Sequence, residues 1–511
     1  MTKNNILLIL QILLALGLHA EDGGAIADQP VAKPPAEEKR PNILVFTVDD
    51  MDAESPGFAG CPLPGITPAM DRLTKDSVWF RQAHVPAATC APSRHSMMTG
   101  LHPHRNGSYG FLQVPPQVPS LSGELRKAGY YTVSLGKNRD YLSFPWDAMP
   151  EVGGDRNWYG RRPQAFADEV RKAVRQARAA DQPFYIGCNT SDPHRPYPGS
   201  EQEREDIKNL RKDWPKAGDY PSVELFCTPD QVPLPPFLPD LPKIREEWAQ
   251  YFTAVHRADE TLDAVLQALK EEGAADNTIV VFFSDNGASF PADKMQTLWQ
   301  SSHTPLLVRW PGIKPIEIKA DMVSTMDLMP TLLEAAGLTP PPDLDGRSLV
   351  PLLRGESGKR RDRLHTSYNF FVPGKQCMPT RGLHTPRYTL IYNAWSDGTT
   401  PNGQDCEPLS GLTWRAAQAA AADDAGISKW VHWQTYRSRI ELYDRQTDPY
   451  CTKDVAEDPR YAAVLKELKA EMETEMRRSK DGLLDSFLGK GPIPSSWTTF
   501  DGWDLKPREL K

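Results

Sequence analysis

Three polar clusters stand where apolar runs end: Asp49-Asp50 after NILVFTV, Lys137 after VSLG, and Asp285-Asn286 after VVFFS. Ligands of parallel α/β sheets collect outside the carboxyl ends of the strands, so all three clusters can converge on one site. Three carboxylates and an amide oxygen form a hard-oxygen donor set suited to Ca²⁺ or Mg²⁺, with no soft ligand among them. Each pair also reads as a plain turn, Asp-Asn-Gly being a tight one with glycine at positive φ. The segment Thr89-Cys90-Ala91-Pro92-Ser93-Arg94 is more specific. Pro92 starts a predicted helix, which puts Cys90 immediately before its N-terminus, where free N–H groups and the helix dipole favour negative charge. Arg94, four residues on, can face back towards the same anion. Alone, such a cysteine is a small buried residue and such an arginine a surface charge; their arrangement around Pro92 and Ser93 argues for more.

The elements that must carry these groups follow from hydrophobic pattern. Residues 42–48 form a continuous β-rich run, expected for a strand covered on both faces. Thr67-Pro68 reads as an N-cap and first helical position, opening a helix through Lys75. The Pro92 helix stops at Gly100. Residues 131–135, 184–188 and 278–283 are further short strands, and 121–128 and 243–272 have helical spacing. Strand-helix alternation over this length predicts an α/β domain with a large, mostly parallel sheet flanked by helices. Near residue 360 the texture changes to short aromatic and β-branched runs between turns, the mark of a smaller antiparallel sheet, followed by a helix over 461–478. The expected organisation is a signal peptide over 1–20, a flexible leader over 21–40, a catalytic domain over 41–360 and a C-terminal α+β subdomain over 361–511.

Composition narrows the class. The 511 residues carry 59 basic and 67 acidic side chains, a formal charge of −8 that offers no excess to neutralise a nucleic acid's phosphates. Forty-eight prolines and 39% hydrophobic residues argue against a multi-span membrane protein. Lys3, the apolar stretch over 6–18 and the small Ala20 make the tripartite pattern of an export signal, with no membrane span expected after cleavage. Seven cysteines include no CxxC pair, so a structural zinc site of that type is not expected; an odd count leaves at least one thiol unpaired, with Cys90 the candidate and disulfides open to the other six.

Cys90-x-Pro92-Ser93-Arg94 followed by Thr99-Gly100 resembles the signature of the sulfatase family, in the alkaline-phosphatase-like superfamily. NILVFTVDD, TPAMDRL, LGK, SDPH, FFSDNG, TPLLVRWPG, DLMPTLLEAAGL and ELYDRQTDP are similar to its landmarks and keep their order. TGLHPHRNGSYGF, SDPHR and SDNGASFPADK are most similar to the branch that cleaves N-sulfated glucosamine. The resemblance implies a sulfated-carbohydrate substrate and conversion of Cys90 to formylglycine by a formylglycine-generating maturation enzyme. It also implies Asp49, Asp50, Asp285 and Asn286, together with residue 90, as ligands of Ca²⁺, with Mg²⁺ the alternative. Arg94, Lys137 and Lys294 become sulfate-binding cations in the catalytic set, and His194 the histidine beside the leaving group. Asp192 becomes a candidate substrate contact. One departure stands out: Arg139 occupies the position where the family's Lys-x-His pattern has histidine, and an arginine there can still hold an anionic oxygen. A phosphonate or phosphodiester hydrolase, an O-sulfatase on another polysaccharide and an inactive carbohydrate-binding relative share the scaffold.

Overall fold

The computed structural model describes residues 40–150, 152, 161–213, 223–356, 360–369, 377–402 and 407–493. The expected signal peptide and all of the leader before Arg40 lie outside the described residues, as does Cys406.

The apolar run over 42–48 becomes β1 (Asn42–Asp49), the middle of a seven-stranded sheet. Its partners are β2 (Val78–His84), β3 (Tyr131–Leu135), β4 (Phe184–Pro193), β5 (Thr278–Ser284), β6 (Leu306–Arg309) and β7 (Ile316–Ser324), in the order β3-β4-β1-β5-β6-β2-β7. All neighbours are parallel except β6, which runs antiparallel to both β5 and β2. Side chains alternate across β1: Leu44, Phe46 and Val48 enter one core, Ile43 and Val45 the other. Both faces are therefore buried, which is why the strand reads as an unbroken apolar run.

On the first face lie α1 (Pro68–Lys75), α4 (Pro163–Ala179) and the long α5 (Pro242–Glu271); on the second lie α2 (Cys90–Thr99), α3 (Leu121–Lys127) and α6 (Leu328–Ala335). The expected N-cap at Thr67 holds its position but makes no side-chain cap. Instead the buried carboxylate of Asp259 on α5 accepts from the N–H groups of Ala69 and Met70 at 2.9 and 2.8 Å, and a tertiary partner replaces the local one.

Four antiparallel strands form the second sheet, in the order β11 (Ile440–Asp444), β10 (Tyr388–Asn393), β9 (Thr380–His384), β8 (Leu364–Tyr368). Leu383, Leu390 and Leu442 of this sheet pack on Leu468, Met472 and Met476 of α9 (Ala462–Arg478), the expected helix. Between β10 and β11 the chain inserts α7 (Leu412–Ala420) and α8 (Ala425–Thr435), which the sequence pattern did not announce. The expected fold class, a large mostly parallel sheet with a smaller antiparallel one, is the one found.

Among the described cysteines, Cys90 is a free thiol as expected, and Cys61, Cys188, Cys227 and Cys451 are free too, so the disulfides the sequence left open among these four do not form. No helix of the described residues is long and apolar enough to cross a membrane.

Candidate active site

β3, β4, β1 and β5 are adjacent and parallel, so their carboxyl ends fall on one edge of the sheet. That edge collects the clusters named above: Asp49-Asp50 after β1, Asp285-Asn286 after β5, Lys137 after β3 and His194 after β4. Two backbone turns aim side chains inward at some strain: Asp50 has φ 69° and Lys137 φ 41°, both left-handed. Gly136, at φ 68°, has no room for a Cβ, which would stand 2.3 Å from the carbonyl oxygen of Asn189. Helix α2 brings in the last pieces. It starts at Cys90 rather than Pro92, with Thr89 as N-cap in extended conformation, and ends at Gly100 with φ 66°.

Within this cluster Cys90 Sγ donates to Asp49 Oδ1 at 3.4 Å. Lys137 Nζ is paired with Asp49, and Lys294 Nζ with Asp50 at 2.8 Å. Arg94 Nε donates to Asp285 Oδ2 at 2.8 Å and its NH2 lies 3.8 Å from Asp49. Asn286 Nδ2 donates to Asp50 Oδ1 at 2.7 Å, and the Asp50 amide donates to Asp285 Oδ1 at 3.1 Å. His194 Nδ1 bonds the carbonyl of Arg195 at 2.6 Å, which fixes Nδ1 as the protonated nitrogen and turns Nε2 to within 3.9 Å of Asp50 Oδ2. All of these side chains are buried except Lys137 and His194, 18% and 26% exposed, so the approach lies on their side. A cleft of about 640 Å³ opens from His194, lined among others by Arg195, Tyr197, Arg204, Gln250 and Arg415.

Burial works against charge here, and the neighbours decide the outcome. Burial raises the pKa of Asp49, but Lys137, His194, Arg94 and Lys294 together outweigh it and hold the carboxyl well below its usual range. Burial raises Asp285 to about 7, Arg94 opposing and Asp49 and Asp50 adding to the rise. Burial beside Asp49 pushes the Cys90 thiol well up, against Lys137 and Lys294, so residue 90 is a neutral thiol and a poor nucleophile as encoded.

The donor chemistry fits a hard divalent cation. Ligand oxygens of Asp49, Asp50 and Asp285 lie within 4.8 Å of one another, and so do the ligand atoms of Asp49, Cys90 and His194. Asn286 Oδ1 is buried without a hydrogen-bond partner, an amide oxygen left for a ligand. Three carboxylates already face the three cations Arg94, Lys137 and Lys294. A divalent ion added there gives the cluster net positive charge, the sign that draws an anion.

Residues 41–338 match the model of the sulfatase family. The chain belongs to the sulfatase family. Residues 291–398 of this sulfatase match a second model, the C-terminal part of N-sulphoglucosamine sulphohydrolase. Human N-sulphoglucosamine sulphohydrolase is 30% identical over 468 residues, 84% of this chain and 89% of the relative. An ulvan-active sulfatase of Formosa agariphila is 26% identical over 91% of this chain and 85% of its own length. Among solved structures, that of BT4656 with its substrate D-glucosamine-2-N,6-O-disulfate superposes with a TM-score of 0.63 at 19% identity, over 88% of this chain and 99% of that one. As a sulfatase, the protein is a hydrolase of sulfate esters or sulfamates.

The structure brings together Asp49, Asp50, Cys90, Arg94, Lys137, His194, Asp285, Asn286 and Lys294. The two expected substrate contacts differ in exposure. Asp192 is fully buried with both oxygens engaged: Arg257 donates to them at 2.7 and 2.9 Å, and Arg161 pairs with the same carboxylate. It positions the turn that carries His194 and has no open face for a substrate. Arg139 is exposed, whereas its neighbour Asp140 approaches Arg94 at 3.7 Å. Sequence reasoning missed Asp140 and also Asn189, whose Oδ1 accepts from Arg94 at 3.3 Å. Asn189 heads Asn189-Thr190-Ser191, which locally has the form of an Asn-x-Ser glycosylation match. It and Asn106, the other match, are buried, and neither offers a surface for a glycan.

Proposed function

We propose that the protein is an exported sulfatase that removes sulfate from a sulfated sugar or glycosaminoglycan, with N-sulfoglucosamine as the substrate. The observation that carries the chemistry is Cys90 at the first turn of α2, in hydrogen-bond contact with Asp49, a carboxylate that also faces Lys137 and Arg94, with Lys294 on the adjoining Asp50. The substrate assignment rests on the match to human N-sulphoglucosamine sulphohydrolase, which extends into the C-terminal part. We place the catalytic domain over 41–360 and the C-terminal subdomain over 361–511, with export by residues 1–20.

In this reading residue 90 is formylglycine, installed by a formylglycine-generating enzyme, and Asp49, Asp50, Asp285 and Asn286 would hold Ca²⁺. The hydrated aldehyde would supply a hydroxyl nucleophile, and a divalent ion held by these four residues would supply the positive charge that lowers the hydroxyl's pKa. Lys137, Lys294 and Arg94 bind the negative oxygens of the sulfuryl group, preorganised by their existing pairs. As the imidazolium, His194 keeps its Nδ1 hydrogen on the Arg195 carbonyl and passes its second proton, on Nε2, to the departing nitrogen or oxygen. The cleft beyond His194 holds the remainder of the sugar chain.

A second reading, O-sulfatase action, draws support from the ulvan-active and 2-O-acting relatives, whose identities are 26% each. Sulfate release from N-sulfoglucosamine and glucosamine 6-sulfate, assayed in parallel with residue 90 converted, separates the two. Release from the N-sulfated sugar alone supports sulfamidase action; release from the 6-sulfate alone replaces it with the second reading.

A further inference from the structure

The central third of α5 carries His256 and, one turn on, Glu260, and the segment leading into that helix lays Glu224 against them. One ligand atom from each of the three lies within 4.8 Å of the others. The cluster uses none of the active-site residues. His256 is 8% exposed, and its Nδ1 stands 2.9 Å from the carbonyl oxygen of Ile66. A carbonyl can only accept, so Nδ1 carries the hydrogen and Nε2 is left to face the carboxylates. Ligating histidines are oriented in this way, the second ring nitrogen donating to a backbone carbonyl. The Glu260 carboxylate is also oriented, its Oε1 accepting from the Glu224 amide at 2.9 Å.

The separation is informative. Nε2 of His256 and Oε1 of Glu260 are 3.6 Å apart. That exceeds an N–H···O hydrogen bond, which ends near about 3.2 Å. Two ligands of one tetrahedral zinc ion, each at about 2.0–2.1 Å, stand about 3.3 Å apart. The gap suits a metal ion between the atoms better than a shared proton. One imidazole and two carboxylates select a zinc-class ion over Ca²⁺, which prefers an all-oxygen shell.

We propose that Glu224, His256 and Glu260 form a second metal site, of the Zn²⁺ class, with solvent completing the coordination. It ties the segment around residue 224 to α5. One turn earlier on the helix the Cys227 amide donates to Thr253 Oγ1 at 3.0 Å, a second tie of the same segment. The chain thereby sorts two cations by donor type: a hard ion at the sheet edge and a borderline one on the outer helix.

The test is calorimetric titration of ZnCl₂ into the full-length protein with Ca²⁺ held in excess, comparing wild type with the Glu224→Gln/Glu260→Gln double variant. Wild type is expected to bind one Zn²⁺ that the double variant loses or binds at least about tenfold more weakly, while sulfatase activity in Ca²⁺ is unchanged. Equal zinc binding by both proteins, or none by wild type, overturns the proposal. Should the variant fail to fold, anomalous diffraction at the zinc edge from wild-type crystals decides. A peak among the three side chains is expected; peaks elsewhere only, or no peak, overturn the proposal. Because zinc binding is read without turnover, this result stands apart from any failure of the substrate assignment.

Discussion

Gln434 Oε1 accepts a hydrogen bond from the backbone N–H of Ala292 at 3.0 Å, so a side chain at the end of α8 fixes the loop that presents Lys294 two residues later. Arg437 clasps the other flank through Gln296 at 2.6 Å, and the Met295 amide bonds the carbonyl of Ala88 at 2.8 Å, just ahead of α2. The cation on Asp50 is thus braced from the C-terminal part of the chain and from the cysteine segment at once. Replacing Gln434 by leucine should lower kcat/KM by about 10- to 100-fold, the scale of a misplacement near 1 Å. The stability loss should be only about 1–2 kcal/mol. Sulfate-release kinetics beside urea unfolding check both numbers.

The cation site gives a second expectation. Asp50→Asn and Asp285→Asn each remove a carboxylate from a cluster whose oxygens converge within 4.8 Å. Each should cost several kcal/mol of transition-state stabilisation, about 10³-fold or more in kcat/KM. Chelation of wild type should abolish turnover and added Ca²⁺ restore it, read as sulfate release before and after.

Asp192 tests positioning rather than contact. Arg257→Ala leaves a fully buried carboxylate with half its partners, and breaking such a pair costs about 3–5 kcal/mol. The urea midpoint should fall accordingly, and His194 should lose its orientation with it.

Acid sensitivity follows from three histidines packed between the two sheets. Burial pushes His84 well below its usual value, His303 to about 4 and His384 to about 3, with mutual repulsion and Arg445 adding to the effect. The unfolded chain binds these protons near pH 6.5, so between that value and about 4 it holds more protons than the folded state. Their contribution is complete above pH 6.5 and is lost as pH falls. Asp259, buried and raised to about 7, has the opposite sign, its contribution being lost as pH rises. His384→Asn isolates the histidine effect: its stability against pH, from urea unfolding, should slope less steeply than wild type between pH 6.5 and 4.

How far the sequence reached depends on whether the signal was local. β1 and β5 were legible because strands buried on both faces show as nearly unbroken apolar runs ending in the polar groups they deliver, and β3 as a short β-branched and aromatic run before Gly136. The Cys90 segment was legible because proline, glycine and helix polarity act within one turn. α7 and α8 were not: they are short and inserted between two strands, and their buried face is set by neighbours distant in sequence. The pairing of Asp192 was not legible, because an Asp-Pro pair looks the same whether its carboxylate meets solvent or, as here, Arg161 and Arg257. Asp140 and Asn189 escaped for the same reason, their role existing only through Arg94.

The central claim is that residue 90 acts only after conversion, since the encoded thiol is buried, neutral and hydrogen-bonded to Asp49. The most direct measurement is sulfate release from N-sulfoglucosamine by two preparations, one co-expressed with a formylglycine-generating enzyme and one without, with residue 90 read by mass. Turnover in proportion to the converted fraction, and none in Cys90→Ala, is the predicted result. Full turnover by protein whose Cys90 remains a thiol would contradict the account.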